Sequence, residues 1–166
     1  MKPLFYCSIL LGLICCKPSQ KVKQQDLLTA PIPMCAPSTD DKTWYESTAI
    51  APLFEGLDAI DFSITTEQEL VQRYFHQGLV LAHGFNHAEA ARSFYYAMTL
   101  DPDCAMAHWG YAYVLGPNYN AGMKEENYPL AYEAIQKAIK LAEKYGTEKE
   151  QILTKALAKR LSLIHI

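Results

Sequence analysis

From Thr66 onward, apolar residues recur every three or four positions, and no other feature of the chain constrains its fold as strongly. Leu70, Val71, Tyr74, Phe75, Gly78, Leu79 and Leu81–Ala82 form one wide stripe, the pattern of a helix that buries a face. Thr66 and Glu69 have the spacing of a capping box, and Gly84 is expected to close the helix in the left-handed region. Asn86 and Glu89 repeat the capping pattern ahead of Ala90, Ala91, Phe94, Tyr95, Ala97, Met98 and Leu100. Asp101–Pro102 stops that second helix, because the residue before a proline avoids the helical region. A third helix runs from after Asp103 to about Leu115 and ends at Gly116–Pro117. Pro129 suits the first turn of a fourth, which Tyr145–Gly146 terminates. Thr147 with Glu150 caps a fifth, carrying Ile152, Leu153, Ala156 and Leu157. The fold expected over residues 66–160 is all-α.

The flanking segments read differently. Residues 1–15 have the layout of an export signal: Lys2, a short apolar block from Leu4 to Ile14, then thiols. Leu13-Ile14-Cys15-Cys16 resembles a bacterial lipobox, which would place the lipid on Cys16, although Cys15 stands where a smaller residue is usual. An ordinary export signal that happens to hold cysteines is the plainer alternative. Residues 16–49 read as a flexible, disordered tether, with Lys17, Lys21 and Lys23 followed by Pro31, Pro33 and Pro37. Residues 50–65 read as an extended lead-in, because Ile60-Asp61-Phe62-Ser63-Ile64 alternates apolar and polar; it is expected to pack on the first helix. The tail Leu161–Ile166 can be encoded by the transposon end used to prepare sequencing libraries. It is therefore read as non-native, with the natural chain continuing past Arg160.

Composition removes several classes of function. The formal net charge of −3 argues against a nucleic-acid partner, which calls for a basic patch. No uninterrupted apolar run reaches the roughly 18 residues that a membrane span needs. With Cys16 lipidated and residues 1–15 removed, Cys35 and Cys104 remain. They could pair in an oxidising compartment, or Cys104 could be a buried free thiol on its apolar helix face.

The first two helices resemble a tetratricopeptide repeat. Tyr74, Gly78, Leu81, Ala90, Phe94, Ala97 and Pro102 match its aromatic, small, bulky and breaker positions at the family's spacing. Small Gly78 and Ala90 let two helices approach, and Phe94 fills the gap between them. Trp109, Gly110 and Tyr113 resemble the first half of a second repeat, and Ala131, Ile135 and Ala138 its second half. The step from Gly110 to Ala131 is 21 residues, against 12 from Gly78 to Ala90, so the second repeat carries a longer loop. The resemblance implies antiparallel helix pairs stacked as an α-solenoid. Gly84-Phe85-Asn86-His87, Leu100–Ala107 and Gly116–Asn120 are similar to stretches of a group of longer, exported bacterial repeat proteins.

For function, the resemblance implies a non-enzymatic scaffold for a protein or peptide partner, held at a membrane through its lipid and facing the periplasm or the cell exterior. In such repeats the first helix of each pair lines the groove, which here would present Gln72, Phe75, Leu79 and Ala82. Long loops of repeat proteins often sit on the binding face, which adds Asn118, Tyr119 and Asn120; the plainer reading is that these asparagines bond their own backbone. Two alternatives stand beside this: a glycan- or nutrient-binding outer-membrane lipoprotein, and the amino-terminal part of a metal-dependent enzyme. Cys104 and His108, four apart, are the candidate metal ligands, without identified supporting ligands. No nucleophile motif and no phosphate-cradling glycine loop is present, and no cofactor is expected.

Overall fold

A computed structural model describes residues 42–57, 60–119 and 122–162, all within one unit, Met34–Ile166. Residues 1–15, Cys16, most of the expected tether, Asn120 and residues 163–166 lie outside the described residues. The elements are α1 (Lys42–Glu46), α2 (Glu69–His83), α3 (His87–Leu100), α4 (Ala105–Leu115), α5 (Asn127–Tyr145) and α6 (Glu148–Arg160), with no β-strand among the described residues. The fold is all-α.

Each helix from α3 to α6 packs on its predecessor, and alternate helices also touch, α2 with α4 and α4 with α6. α4 is central: nine of its 11 residues are buried, so it shows no polar face at all. Phe94 of α3 is fully buried, and two glycines approach its ring closely. A Cβ built on Gly78 of α2 would stand 2.7 Å from that ring, and one on Gly110 of α4 only 2.3 Å from it. The two glycines thus bring both α2 and α4 against one aromatic side chain. Ala90 and Ala97 are equally buried beside it, while Leu81 and Tyr113 are half-buried at the core's margin.

Two of the three expected caps form. Asn86 accepts from the Glu89 N–H, and Thr147 with Glu150 closes a reciprocal box. The third does not: α2 starts at Glu69 with Gln68 as its cap, and Thr66 donates its hydroxyl to Asp101 instead, 2.7 Å away. The turn after α2 also departs from expectation. Gly84 has φ −80°, and the left-handed residue is Phe85, at φ 63°. The Asn86 N–H reaches the Leu81 carbonyl at 2.8 Å and the Phe85 N–H reaches that of Ala82 at 3.2 Å, the bonding of a Schellman turn. An aromatic residue therefore occupies the position that glycine usually fills.

Part of the segment expected to be a tether is helical. Within its expected span, α1 brings Trp44 and Tyr45 edge-on to Tyr95 of α3, with ring centroids 6.2 and 5.0 Å away. Aromatic burial offsets the ordering cost of so short a helix. The lead-in holds neither helix nor strand and packs on α2 as expected: the Tyr74 hydroxyl donates to the Ala51 carbonyl at 2.7 Å, and Gln77 bonds both Pro52 and Phe54. Leu161, assigned from sequence to a tail outside the fold, is fully buried against Gly116.

Candidate functional site

The face shared by α2, α4 and α6 carries the richest arrangement of side chains. Gln72, one turn into α2, uses both ends of its amide on the lead-in backbone. Its Oε1 accepts from the Ile64 N–H at 2.9 Å, and its Nε2 donates to the Phe62 carbonyl at 3.1 Å. His76, one turn on, brings Nε2 to 2.9 Å from the same carbonyl. The Phe62 ring packs against Phe75 at 5.5 Å, and Lys149 of α6 stands 3.7 Å from its centroid. Glu150 of α6 then takes Thr65: Oε1 accepts from the backbone N–H at 2.7 Å and Oε2 from the hydroxyl at 2.6 Å. Residues 62–65 are thus a stretch of irregular polypeptide gripped from α2 and α6.

Glu150 is buried and also accepts from the Thr147 N–H and hydroxyl. Burial alone would raise its pKa, but the hydrogen bonds from Thr65 and Thr147 outweigh it and hold the carboxyl below the ordinary value.

Beside this stretch a cavity of about 410 Å³ is lined by Ile60, Phe62, Leu79, His83, Trp109 and Tyr113. Trp109 and Tyr113, one turn apart on α4, are stacked with centroids 5.2 Å apart and planes 1° from parallel. The Trp109 indole N–H donates to the Leu153 carbonyl at 3.2 Å, which fixes the ring against α6.

The expected groove residues divide. Gln72 is a backbone clamp and Leu79 lines the cavity, but Phe75 is fully buried in the core and offers no free surface. Asn118 follows the plainer reading, donating to the carbonyls of Val114 and Gly116 at 3.0 and 3.2 Å. Tyr119 is 98% exposed and does not join the cavity. Trp109 and Tyr113, expected to pack between helices, also line the cavity. The i, i+4 spacing of Gln72 and His76 was the sequence signal for the clamp, but its target lies in a segment without regular structure.

Cys104 caps α4, and burial pushes its thiol up to about 11. His108 places Nε2 3.0 Å from the Pro102 carbonyl, which can only accept, so that nitrogen carries the proton. Burial lowers its pKa, partly countered by that bond. Among the described residues no group of three or more His, Cys, Asp and Glu side chains could hold a metal ion. None of the described helices is long and apolar enough to cross a membrane. Compared with known protein families, curated proteins and solved structures, the chain matches none.

Proposed function

We propose that this chain is a non-enzymatic helical scaffold that binds a peptide or protein segment, exported and anchored to a membrane through lipid on Cys16. In this reading the helices are antiparallel pairs of a tetratricopeptide-like solenoid, α2 with α3 and α4 with α5, and α6 opens a further pair. Successive packing, and the touching of alternate helices α2, α4 and α6, support that arrangement. One observation carries the functional reading: the amide of Gln72 grips a backbone N–H and a backbone carbonyl of the chain's own irregular lead-in, a mode of holding polypeptide that this face would offer a partner. Side-chain bonds to backbone recognise polypeptide whatever its sequence, and the neighbouring aromatic cavity supplies room for a selective side chain.

The test is a peptide array probed with the whole chain and with Trp109→Ala. Selective binding that the substitution abolishes supports the reading; an array without selective signal sinks it. The stacked Trp109–Tyr113 surface favours a second reading, a glycan ligand, since sugar rings lie flat on such surfaces. Signal on a glycan array with none on the peptide array would move the assignment there. The anchor is tested separately: Cys16→Ser should abolish incorporation of labelled fatty acid, and equal labelling of both forms would remove the lipid from the proposal.

A further inference from the structure

A second cavity, of about 450 Å³, lies where α1 meets α3, α4 and α5, lined by Tyr45, Tyr95, Tyr111, Glu46, Glu126 and the Pro129–Leu130 step. None of these lining residues is basic. The three phenol rings cluster, with centroids 5.0 Å apart for Tyr45–Tyr95, 5.6 Å for Tyr95–Tyr111 and 6.4 Å for Tyr45–Tyr111. The Tyr95 hydroxyl is engaged, donating to the Tyr45 carbonyl at 3.3 Å. Tyr111 is different. It is only 6% exposed, yet its hydroxyl makes no hydrogen bond among the described residues. The hydroxyl is not sealed off, so a ligand in the cavity can reach it and take the place of water as its partner. Burial, with the neighbouring Tyr45 and Tyr95 phenols, raises the Tyr111 pKa far above the ordinary phenol value, so its oxygen is a neutral acceptor.

The surroundings decide the ligand's charge. Glu46 and Glu126 supply two carboxylates, and Glu126 already draws Lys124 to 3.8 Å. The same aromatic cluster carries a cation on its outside: the Arg92 guanidinium stands 5.5 Å from the centroid of Trp44, whose ring meets Tyr45 edge-on at 5.1 Å. A planar cation with several donors matches all three features. It stacks on a phenol face, donates to a carboxylate and gives Tyr111 a partner. We infer that the Tyr45–Tyr95–Tyr111 cavity is a binding site for a guanidinium group, as presented by an arginine residue of a partner chain. The site lies apart from the α2–α4–α6 cavity and stands whether or not that face binds peptide.

Calorimetric titration of the whole chain with N-acetylarginine methylamide tests this, with the isosteric but neutral citrulline analogue as control. Saturable binding is expected, at least about tenfold weaker for citrulline and weakened by salt, as a charge-assisted contact requires. Tyr111→Phe, which removes one oxygen, and Glu126→Gln, at an exposed position whose substitution leaves the core untouched, should each weaken binding by about three- to tenfold. The inference is overturned if the arginine probe does not saturate, if citrulline binds equally, or if both variants bind like the wild type while keeping its near-ultraviolet circular dichroism.

Discussion

Gly110→Ala adds one methyl group where the structure has no room for it. The new Cβ would lie 2.3 Å from both Cδ1 and Cε1 of Phe94, well inside ordinary van der Waals contact. The ring cannot retreat, because Gly78 lies against it at a similarly close approach and Phe75 meets it at 5.8 Å. Overpacking a filled core costs about 1–3 kcal/mol, and so deep an overlap belongs at the upper end. Alanine returns about 1 kcal/mol over glycine in a helix interior. The net expectation is a loss of about 2 kcal/mol. With a urea slope of about 2 kcal/mol/M for a domain of this size, the midpoint should fall by about 1 M. Phe94→Ala alone should cost about 3–5 kcal/mol, since it empties a fully buried ring site. In that background the clash is gone, and Gly110→Ala should become stabilising by about 1 kcal/mol. Urea titration followed by far-ultraviolet circular dichroism reads all four forms. A Gly110→Ala protein as stable as the wild type, or the same sign of effect in both backgrounds, would refute the packing of Phe94 against two glycines.

Three other outcomes follow from the geometry. Glu150→Ala should cost about 2–4 kcal/mol in the same titration, because it strips the acceptor from Thr65 and Thr147 together. The folded state lowers this carboxyl's pKa, so its contribution is present above the unfolded value and is lost as pH falls through the folded one. Phe85→Gly should raise stability by about 0.5–1 kcal/mol, or a few degrees in melting temperature, by relieving the positive φ of a residue that is 52% exposed. His87 is buried with both ring nitrogens unpartnered, and burial lowers its pKa, as it does that of His108. The unfolded chain therefore takes up protons first as pH drops below about 6.5, and melting temperature should fall with it. Replacing His87 with Leu should flatten that part of the profile, and an unchanged slope in both His87→Leu and His108→Leu would contradict the assignment.

Local order was legible in the sequence where the interaction that creates it is also local. The apolar period, the caps at Asn86 and Thr147 and the stop at Pro102 each reflect groups within one helical turn, and the structure keeps them. Thr66 misled because its hydroxyl found Asp101, 35 residues on, a partner that outcompeted the helix end. The turn at Gly84 misled because glycine permits a left-handed backbone without requiring it, and the chain turned one residue later. The small residues 78, 90 and 110 marked close helix contact, but nothing in their spacing shows that one ring serves two glycines. Gln72 stood out in the sequence as a candidate for contact; what it grips did not, because Phe62 and Ile64 belong to a segment without regular hydrogen bonding. The phenol cavity was the least visible, since Tyr45, Tyr95 and Tyr111 come from three helices and share no period.

The Thr65–Glu150 contact has a consequence for how the molecule comes apart. Helices stacked only on their neighbours lose structure piecemeal, each unit opening at its own free energy. Here a contact spanning 85 residues ties α6 to the segment that lies on α2. Opening α6 breaks the Glu150 bonds to Thr65, directly beside the backbone that Gln72 holds, so the two regions should lose amide protection at a common rate in hydrogen exchange. Closing so long a loop is slow. The tie therefore trades folding speed for a single, shared unfolding step.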